Sequence, residues 1–108
     1  MLGIDIVEIS RIEKLISKEG DRFLNRILSA QEIEIALRRK KTAEFAAGRF
    51  AVKEAYVKAT GDKKTPFNQI CILNEENGKP YIKGRQDIEI SLSHERKFAV
   101  GVVLVKSN

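Results

Sequence analysis

The hydrophobic pattern divides the chain into a helical first part and a second part built of short strands. Residues 2–7 form an apolar run rich in isoleucine and valine, which suits a β-strand that Asp5 interrupts. Apolar positions at helical spacing then predict helices over residues 11–19, 23–28, 30–41 and 43–59. Alternating or short apolar runs predict strands over residues 69–73, 80–83, 87–93 and 98–105, with Asn77-Gly78 as a hairpin turn. This order predicts an α+β fold in a single domain, residues 1–108.

Local residue types mark where the predicted helices begin and end. Two capping-box patterns, Ser10 to Glu13 and Ser29 to Glu32, indicate helix starts. Thr42 is expected to cap the helix over residues 43–59, and Gly61 to end it.

Composition narrows the class of protein. Lys and Arg total 20 against 15 Asp and Glu, a formal charge of +5 over 108 residues. That modest excess favours an acidic or phosphorylated partner, and it is smaller than a dedicated nucleic-acid binder carries. The single cysteine, Cys71, excludes an internal disulfide and is expected in the core. We find neither a signal peptide nor a membrane span, so a cytoplasmic protein is expected. So short a chain encloses a deep site poorly, which favours an oligomer with a shared site.

Glu54 is the first residue in a position that calls for a chemical explanation. At about 100° per residue, it shares a helix face with apolar side chains: Ala43, Ala47, Phe50, Ala51 and Val57. A carboxylate there is costly to bury without a partner. Spacing alone favours an i,i+4 ion pair with Lys58; the alternative is a metal ligand with a cation beside it.

Asp5 is the second such residue. Strand alternation places Ile4 and Ile6 on one face and Asp5 on the other. Pattern alone favours an outward-facing aspartate on an edge strand. The alternative pairs it with Glu54, because Mg²⁺ is commonly held by one or two carboxylates together with substrate phosphate and water.

Other polar residues are candidates for binding. His94 is the only histidine, and its pattern alone favours a surface position. Ser93 and His94 end a strand, where loops often carry function. Arg11, Lys14 and Lys18 form a basic stripe on the first helix, which is typical of a solvated face and also suits an acidic partner.

Three segments, in order, resemble the motifs of the holo-[acyl-carrier-protein] synthase family, the small phosphopantetheinyl transferases. They are Gly3-Ile4-Asp5-Ile6-Val7-Glu8 with Arg11, the long segment from Phe45 to Ala59, and Ser91-Leu92-Ser93-His94 followed by residues 99–105. Asn77-Gly78-Lys79-Pro80 fits the family's hairpin. The resemblance spans essentially the whole chain.

The resemblance implies an Mg²⁺-dependent transfer of 4′-phosphopantetheine from coenzyme A to a serine of apo acyl carrier protein. Adenosine 3′,5′-bisphosphate would be released, and the reaction would support fatty acid biosynthesis. The implied metal ligands are Asp5 and Glu54, which with Lys58 are also the implied catalytic residues. Coenzyme A would be bound by Lys58 with Arg49, Phe50, Lys53, Ser93 and His94, and the carrier protein by Arg11, Lys14 and Lys18. The family's short members are homotrimers with active sites between subunits.

A second hypothesis is a small basic module that binds nucleic acid or an acidic protein, with Glu54 and Lys58 merely structural. The net charge and the basic cluster at residues 38–41 support it. Sparse aromatic residues count against nucleic acid, so neither nucleic acid nor a membrane is the expected partner.

Overall fold

The computed structural model describes residues 1–106 and has the predicted order of elements. In chain order they are β1 (Leu2–Glu8), α1 (Ile9–Glu19), α2 (Asp21–Ile27), α3 (Ala30–Leu37), α4 (Thr42–Thr60), a 3₁₀ turn (Phe67–Gln69), β2 (Ile72–Asn74), β3 (Pro80–Ile82), β4 (Ile88–His94) and β5 (Phe98–Val105). The three longer strands form a sheet in the order β1-β5-β4, and β2 pairs with β3 in a separate ribbon. All these pairings are antiparallel. The predicted α+β class is confirmed.

Helix α4 lies against the sheet at unusually close range, and two glycines make this possible. A Cβ added at Gly3 would overlap the carbonyl oxygen of Ala55. A Cβ added at Gly101 would lie 2.5 Å from the backbone nitrogen of Val52. Gly101 is the register partner of Asp5, so the β1 carboxylate lies beside one of these two close approaches.

The other face of the sheet is open and apolar. Alternation turns Gly3, Asp5 and Val7 toward α4, and Ile4 and Ile6 away from it. Five large apolar side chains are exposed along β1 and β5: Leu2, Ile4, Ile6, Phe98 and Leu104. The described part of the chain therefore leaves a contiguous hydrophobic surface uncovered, which is typical of an interaction site.

Several boundary signals are confirmed. Ser29 and Glu32 form a complete capping box at the start of α3. Gly61 ends α4 in the left-handed conformation at φ 75°, and Gly20 separates α1 from α2 at φ 60°. Gly78, at φ 92°, lies in the turn between β2 and β3.

Two predicted N-caps are wrong. Helix α1 begins at Ile9, directly after β1, and the hydroxyl of Ser10 donates to Glu8 Oε1 rather than accepting from the helix backbone. Helix α4 begins at Thr42 itself, whose hydroxyl donates to the carbonyl of Arg39.

Helix α3 is shorter than predicted. It ends at Leu37, because the N–H groups of Arg38 and Arg39 bond to the carbonyls of Ile35 and Ala36. These i−3 bonds tighten the last turn and end the helix before the basic cluster at residues 38–41.

The strand predicted at residues 69–73 starts later, at Ile72, since residues 67–69 form the 3₁₀ turn instead. Cys71 is half-buried, so its predicted core position is wrong. Its neighbours Ile70 and Ile72 take the buried positions on either side. Across residues 1–106, no helix combines the length and apolarity that crossing a bilayer requires.

Candidate active site

Asp5 points toward α4, and its carboxylate meets Lys58 there. Lys58 Nζ donates to Asp5 Oδ1 at 2.9 Å and to the carbonyl of Ile4 at 3.2 Å. The Asp5 side chain is 17% exposed, so the interpretation of Asp5 as an outward-facing aspartate is wrong. The strand is an edge strand, as expected, but its carboxylate faces the helix.

Glu54 lies one turn before Lys58 on α4 and is half-buried. Within residues 1–106 it forms no ion pair and accepts no side-chain hydrogen bond, so the i,i+4 pair with Lys58 is not formed. Lys58 pairs with Asp5 instead. Glu54 is thus a carboxylate on a mostly apolar face with its oxygens available to a ligand.

These two carboxylates fit a site for Mg²⁺ that a substrate completes. In the part of the chain the structure describes, no three His, Cys, Asp or Glu side chains are grouped to hold a metal by themselves. Asp5 and Glu54 offer only hard oxygen ligands, from β1 and from the helix packed on it. Mg²⁺ accepts such a pair when phosphate oxygens and water provide the remaining ligands.

Arg49 belongs to a separate basic cavity on the same helix. The cavity has a volume of about 390 Å³ and is lined by Arg39, Lys41, Glu44, Phe45, Gly48, Arg49, Asn74, Leu92 and His94. Arg49 Nη2 donates to Asn74 Oδ1 at 2.8 Å, and the guanidinium carbon lies 4.3 Å from the centre of the Phe45 ring. Three cationic side chains, Arg39, Lys41 and Arg49, against one carboxylate make this cavity suitable for an anion.

His94 lies at the rim of this cavity, at the end of β4. Its Nδ1 is 3.9 Å from Glu44 Oε1, the one carboxylate in the lining. The structure therefore brings Arg49 and His94 together, as a shared ligand would require. Ser93 is exposed on the neighbouring position of β4 and does not line the cavity.

Lys53 does not sit where a ligand-binding lysine is expected. Its side chain is 0% exposed, and Nζ donates to Glu32 Oε1 at 2.6 Å and to the carbonyls of Ile27 and Phe67. All three ammonium hydrogens are thereby used inside the protein. The expectation that Lys53 contacts coenzyme A directly is incompatible with this position.

Phe50 links the carboxylate site to the basic helix. It is half-buried, its ring packs edge-on against Phe67 at 5.8 Å, and the guanidinium of Arg11 lies 5.9 Å from its ring centre. Lys14 and Lys18 are exposed further along α1. The basic stripe thus begins next to Phe50, which is one turn before Glu54 on α4.

Four residues around these sites were missed by sequence reasoning: Glu44, Phe67, Asn74 and Glu32. Glu32 gave a signal only as half of a capping box, and nothing local to the others pointed to a site. A larger cavity of about 710 Å³ runs along β3 and the start of β4, and it contains none of the predicted site residues.

Comparison with known proteins places these features in one family. The model of the 4′-phosphopantetheinyl transferase superfamily matches residues 1–103. The chain is 44% identical to the holo-[acyl-carrier-protein] synthase of Halothermothrix orenii, over 95% of this chain and 94% of that protein. It is similar to the holo-(acyl-carrier-protein) synthase structure from Bacillus anthracis in complex with CoA (3′,5′-ADP), with a TM-score of 0.86, 39% identity, and coverage of 99% and 96%. It is also similar to the Helicobacter pylori holo-[acyl-carrier-protein] synthase structure with coenzyme A, with a TM-score of 0.85, 35% identity, and coverage of 98% and 100%.

Proposed function

Because the chain belongs to the 4′-phosphopantetheinyl transferase superfamily and is an enzyme of the holo-[acyl-carrier-protein] synthase type, we propose that it transfers 4′-phosphopantetheine from coenzyme A to a serine of an apo acyl carrier protein. The acceptor is the carrier of fatty acid biosynthesis in the cytoplasm. The observation that carries the site assignment is the meeting of Asp5 with Lys58, one turn from Glu54.

Asp5 and Glu54 hold Mg²⁺ in this proposal. When bound, the ion neutralises charge on the pyrophosphate of coenzyme A and helps align the reacting groups. The two carboxylates fix the position of the pyrophosphate relative to α4 and β1. Glu54 has no protein partner among the described residues, which is expected of a carboxylate that binds a cation.

Lys58 acts on the leaving group. The serine hydroxyl gives its proton to a water or to one of the two carboxylates as its oxygen bonds to the phosphorus that bears pantetheine, and the bond from that phosphorus to the bridging oxygen breaks. Negative charge then collects on the released adenosine 3′,5′-bisphosphate, where an ammonium group can stabilise it or supply a proton. The contact of Lys58 with Asp5 keeps the ammonium at the metal side of the site.

The basic cavity binds a phosphate group at the nucleotide end of coenzyme A. Arg49 and His94 are its ligands, as the resemblance implies, with Arg39 and Lys41 contributing charge. Phe50 remains a proposed contact on the path between the two sites. Ser93, at the exposed end of β4, also remains a proposed contact with coenzyme A.

The carrier protein docks along α1. Arg11, Lys14 and Lys18 are exposed there and match an acidic partner. Arg11 lies against Phe50, which is one turn from Glu54 on α4. A carrier bound to this stripe therefore presents its serine close to the metal ligands.

Three copies of the chain assemble through the open sheet face. The exposed apolar side chains of β1 and β5 provide a hydrophobic surface for this contact. The Asp5 carboxylate points to the other face of the sheet, but β1 is the edge strand, so a neighbouring subunit would reach the carboxylate site around that edge. Such an arrangement suits a chain too short to enclose a site alone.

The direct test is a mass spectrum. The purified chain, Mg²⁺ and coenzyme A should add the mass of phosphopantetheine to an apo acyl carrier protein, and no gain with several apo carriers would refute the proposal. Calorimetry with coenzyme A, with and without Mg²⁺, should show binding that Mg²⁺ strengthens. Salt-dependent binding to DNA or RNA without binding of coenzyme A would favour the basic-module hypothesis.

A further inference from the structure

Glu32 is a completely buried carboxylate that joins five elements of the fold. It lies in the first turn of α3, where Oε1 accepts from the backbone of Ser29 at 2.8 Å and from Lys53 Nζ at 2.6 Å. Oε2 accepts from the backbone of Ile72 at 3.0 Å. Through Lys53, the same cluster reaches the carbonyls of Ile27 in α2 and Phe67 in the 3₁₀ turn.

The cluster contains one carboxylate and two cations. Besides Lys53, Arg49 faces Glu32, with Nε 4.0 Å from Oε2 and only 6% of the Arg49 side chain exposed. Burial lowers the pKa of both Lys53 and Arg49, and the charge of Glu32 opposes that shift. An arginine keeps its charge at neutral pH all the same, so one unit of positive charge is left uncompensated here.

Arg49 is held at several points and still has donor groups to spare. Nη2 donates to Asn74, and the guanidinium stacks on Phe45. Nε is, within residues 1–106, the one buried side-chain nitrogen or oxygen without a hydrogen-bond partner. At 4.0 Å Glu32 attracts Arg49 without hydrogen-bonding to it, and the bonds that the carboxylate accepts from Ser29, Lys53 and Ile72 fix it in that position.

We propose that Glu32 is a positioning residue for anion binding: it orients Arg49 toward the basic cavity while leaving the arginine's charge available to a phosphate group. Lys53 contributes to the same arrangement, because its ammonium group neutralises charge at Oε1 of Glu32 while Arg49 faces Oε2. A carboxylate with no other partner would bond to Arg49 fully and withdraw it from the ligand. This inference rests on the proposed function, in which the cavity binds coenzyme A.

The test must separate positioning from folding, since Glu32→Gln alone leaves Lys53 as a buried charge without a partner. The double variant Glu32→Gln/Lys53→Met removes the buried pair and can retain the fold, because apolar replacements of such pairs are often tolerated. We expect a folded protein that unfolds earlier than wild type, because the carbonyls of Ile27 and Phe67 lose their donor. Coenzyme A affinity should be about 10-fold weaker, the lower end of the effect of removing groups that orient metal ligands. KM for the carrier protein should stay within about twofold, because the arrangement acts on the nucleotide end only.

Arg49→Ala provides the decisive comparison. If Glu32 acts through Arg49, the triple variant should bind coenzyme A no more weakly than Arg49→Ala alone, since coupled residues give non-additive effects. Wild-type affinity in the double variant, or losses that add in the triple variant, would overturn the inference. Glu32→Asp keeps the buried charge but shortens its reach, and it serves if the double variant does not fold: weaker coenzyme A binding supports the inference and unchanged binding overturns it. Failure of the wild-type chain to bind coenzyme A would instead refute the proposed function, and the inference with it.

Discussion

Lys58 Nζ lies 2.9 Å from Asp5 Oδ1 although the two residues are 53 positions apart in the chain. The pair connects the first strand to the central helix near the point where Gly3 lets β1 approach the backbone of Ala55 and Ala59. It also places a cation and a carboxylate in contact at the mouth of the proposed metal site. The two groups have different proposed roles: Asp5 holds the metal, and Lys58 acts on the leaving group.

Asp5→Asn should abolish transfer while leaving the fold intact. Loss of a metal ligand is expected to lower the transfer rate at least about 100-fold, because charge stabilisation in phosphoryl transfer depends on the ion. The partly exposed pair with Lys58 contributes only about 0–1 kcal/mol to stability. Transfer followed by mass spectrometry, with thermal unfolding as the folding check, measures both. Glu89→Gln, at an exposed carboxylate paired with Lys106, is the matched control, and a near-normal rate for Asp5→Asn would refute the metal assignment.

Glu54→Gln should separate metal binding from stability. The side chain has no ion-pair partner among the described residues. Its neutral isostere should therefore leave the unfolding temperature, measured without Mg²⁺, unchanged or slightly raised. Coenzyme A binding should lose most of its dependence on Mg²⁺, as measured by calorimetry with and without the ion. Glu13→Gln, on the exposed side of α1, should keep that dependence. A variant at Glu54 that still responds to Mg²⁺ like the wild type would contradict the assignment.

The order of elements was predictable because helical and strand periodicities are local properties of the sequence. The direction in which the Asp5 side chain points was not predictable. Alternation places it on the opposite face of the strand from Ile4 and Ile6 but does not show which face packs against a helix. Likewise, the spacing of Glu54 and Lys58 allows a pair, but a carboxylate from a distant strand reaches Lys58 instead. Such choices are made by tertiary packing, here by two glycines that no local pattern singles out.

Two charged residues of α4 also occupy positions that could not be predicted from the sequence. The resemblance implies that Lys53 and Arg49 bind coenzyme A, yet both side chains are buried. Their burial depends on Glu32, 21 positions from Lys53, which locally is only a helix cap. The family resemblance implies that this segment binds coenzyme A, and only the three-dimensional contacts show that Lys53 faces inward.

Gly101→Ala should destabilise the protein and Gly48→Ala should not. A methyl group at Gly101 would meet the backbone of Val52 at 2.5 Å, and backbone cannot yield without shifting α4. We expect a loss of about 1–3 kcal/mol, the usual cost of overpacking. At Gly48 the new methyl would meet only the flexible Leu92 Cδ1 at 3.3 Å, and alanine favours the helix by up to about 1 kcal/mol. Urea unfolding compares the two, and equal stabilities would show that the close helix–sheet approach is not required.

Acid should weaken the loop after α4. Hydrogen bonds from the Thr65 hydroxyl, from Tyr56 and from the backbone of Thr65 and Lys64 hold the pKa of Asp62 well below its ordinary value. The stabilisation is therefore complete above the unfolded pKa, about 3.9, and is lost as the pH falls from there toward the folded value. Asp62→Asn should melt earlier than wild type at pH 5–7, and the difference should shrink below about pH 4. Glu76→Gln, at an exposed turn position, should show no such trend, and a difference independent of pH would contradict the account.

Ile6→Lys should prevent assembly through the open sheet face. Ile6 is 62% exposed on that face, on the edge strand β1, so a lysine there costs the single chain little but places a repeated charge where three copies are proposed to meet. Sedimentation should change from a trimer to a monomer, and transfer should fall if a neighbouring subunit completes the site. Leu37→Lys is the control, because Leu37 is 78% exposed on α3, outside the sheet, and its assembly should match the wild type. A wild-type chain that sediments as a monomer, or a trimeric Ile6→Lys variant, would refute this interface.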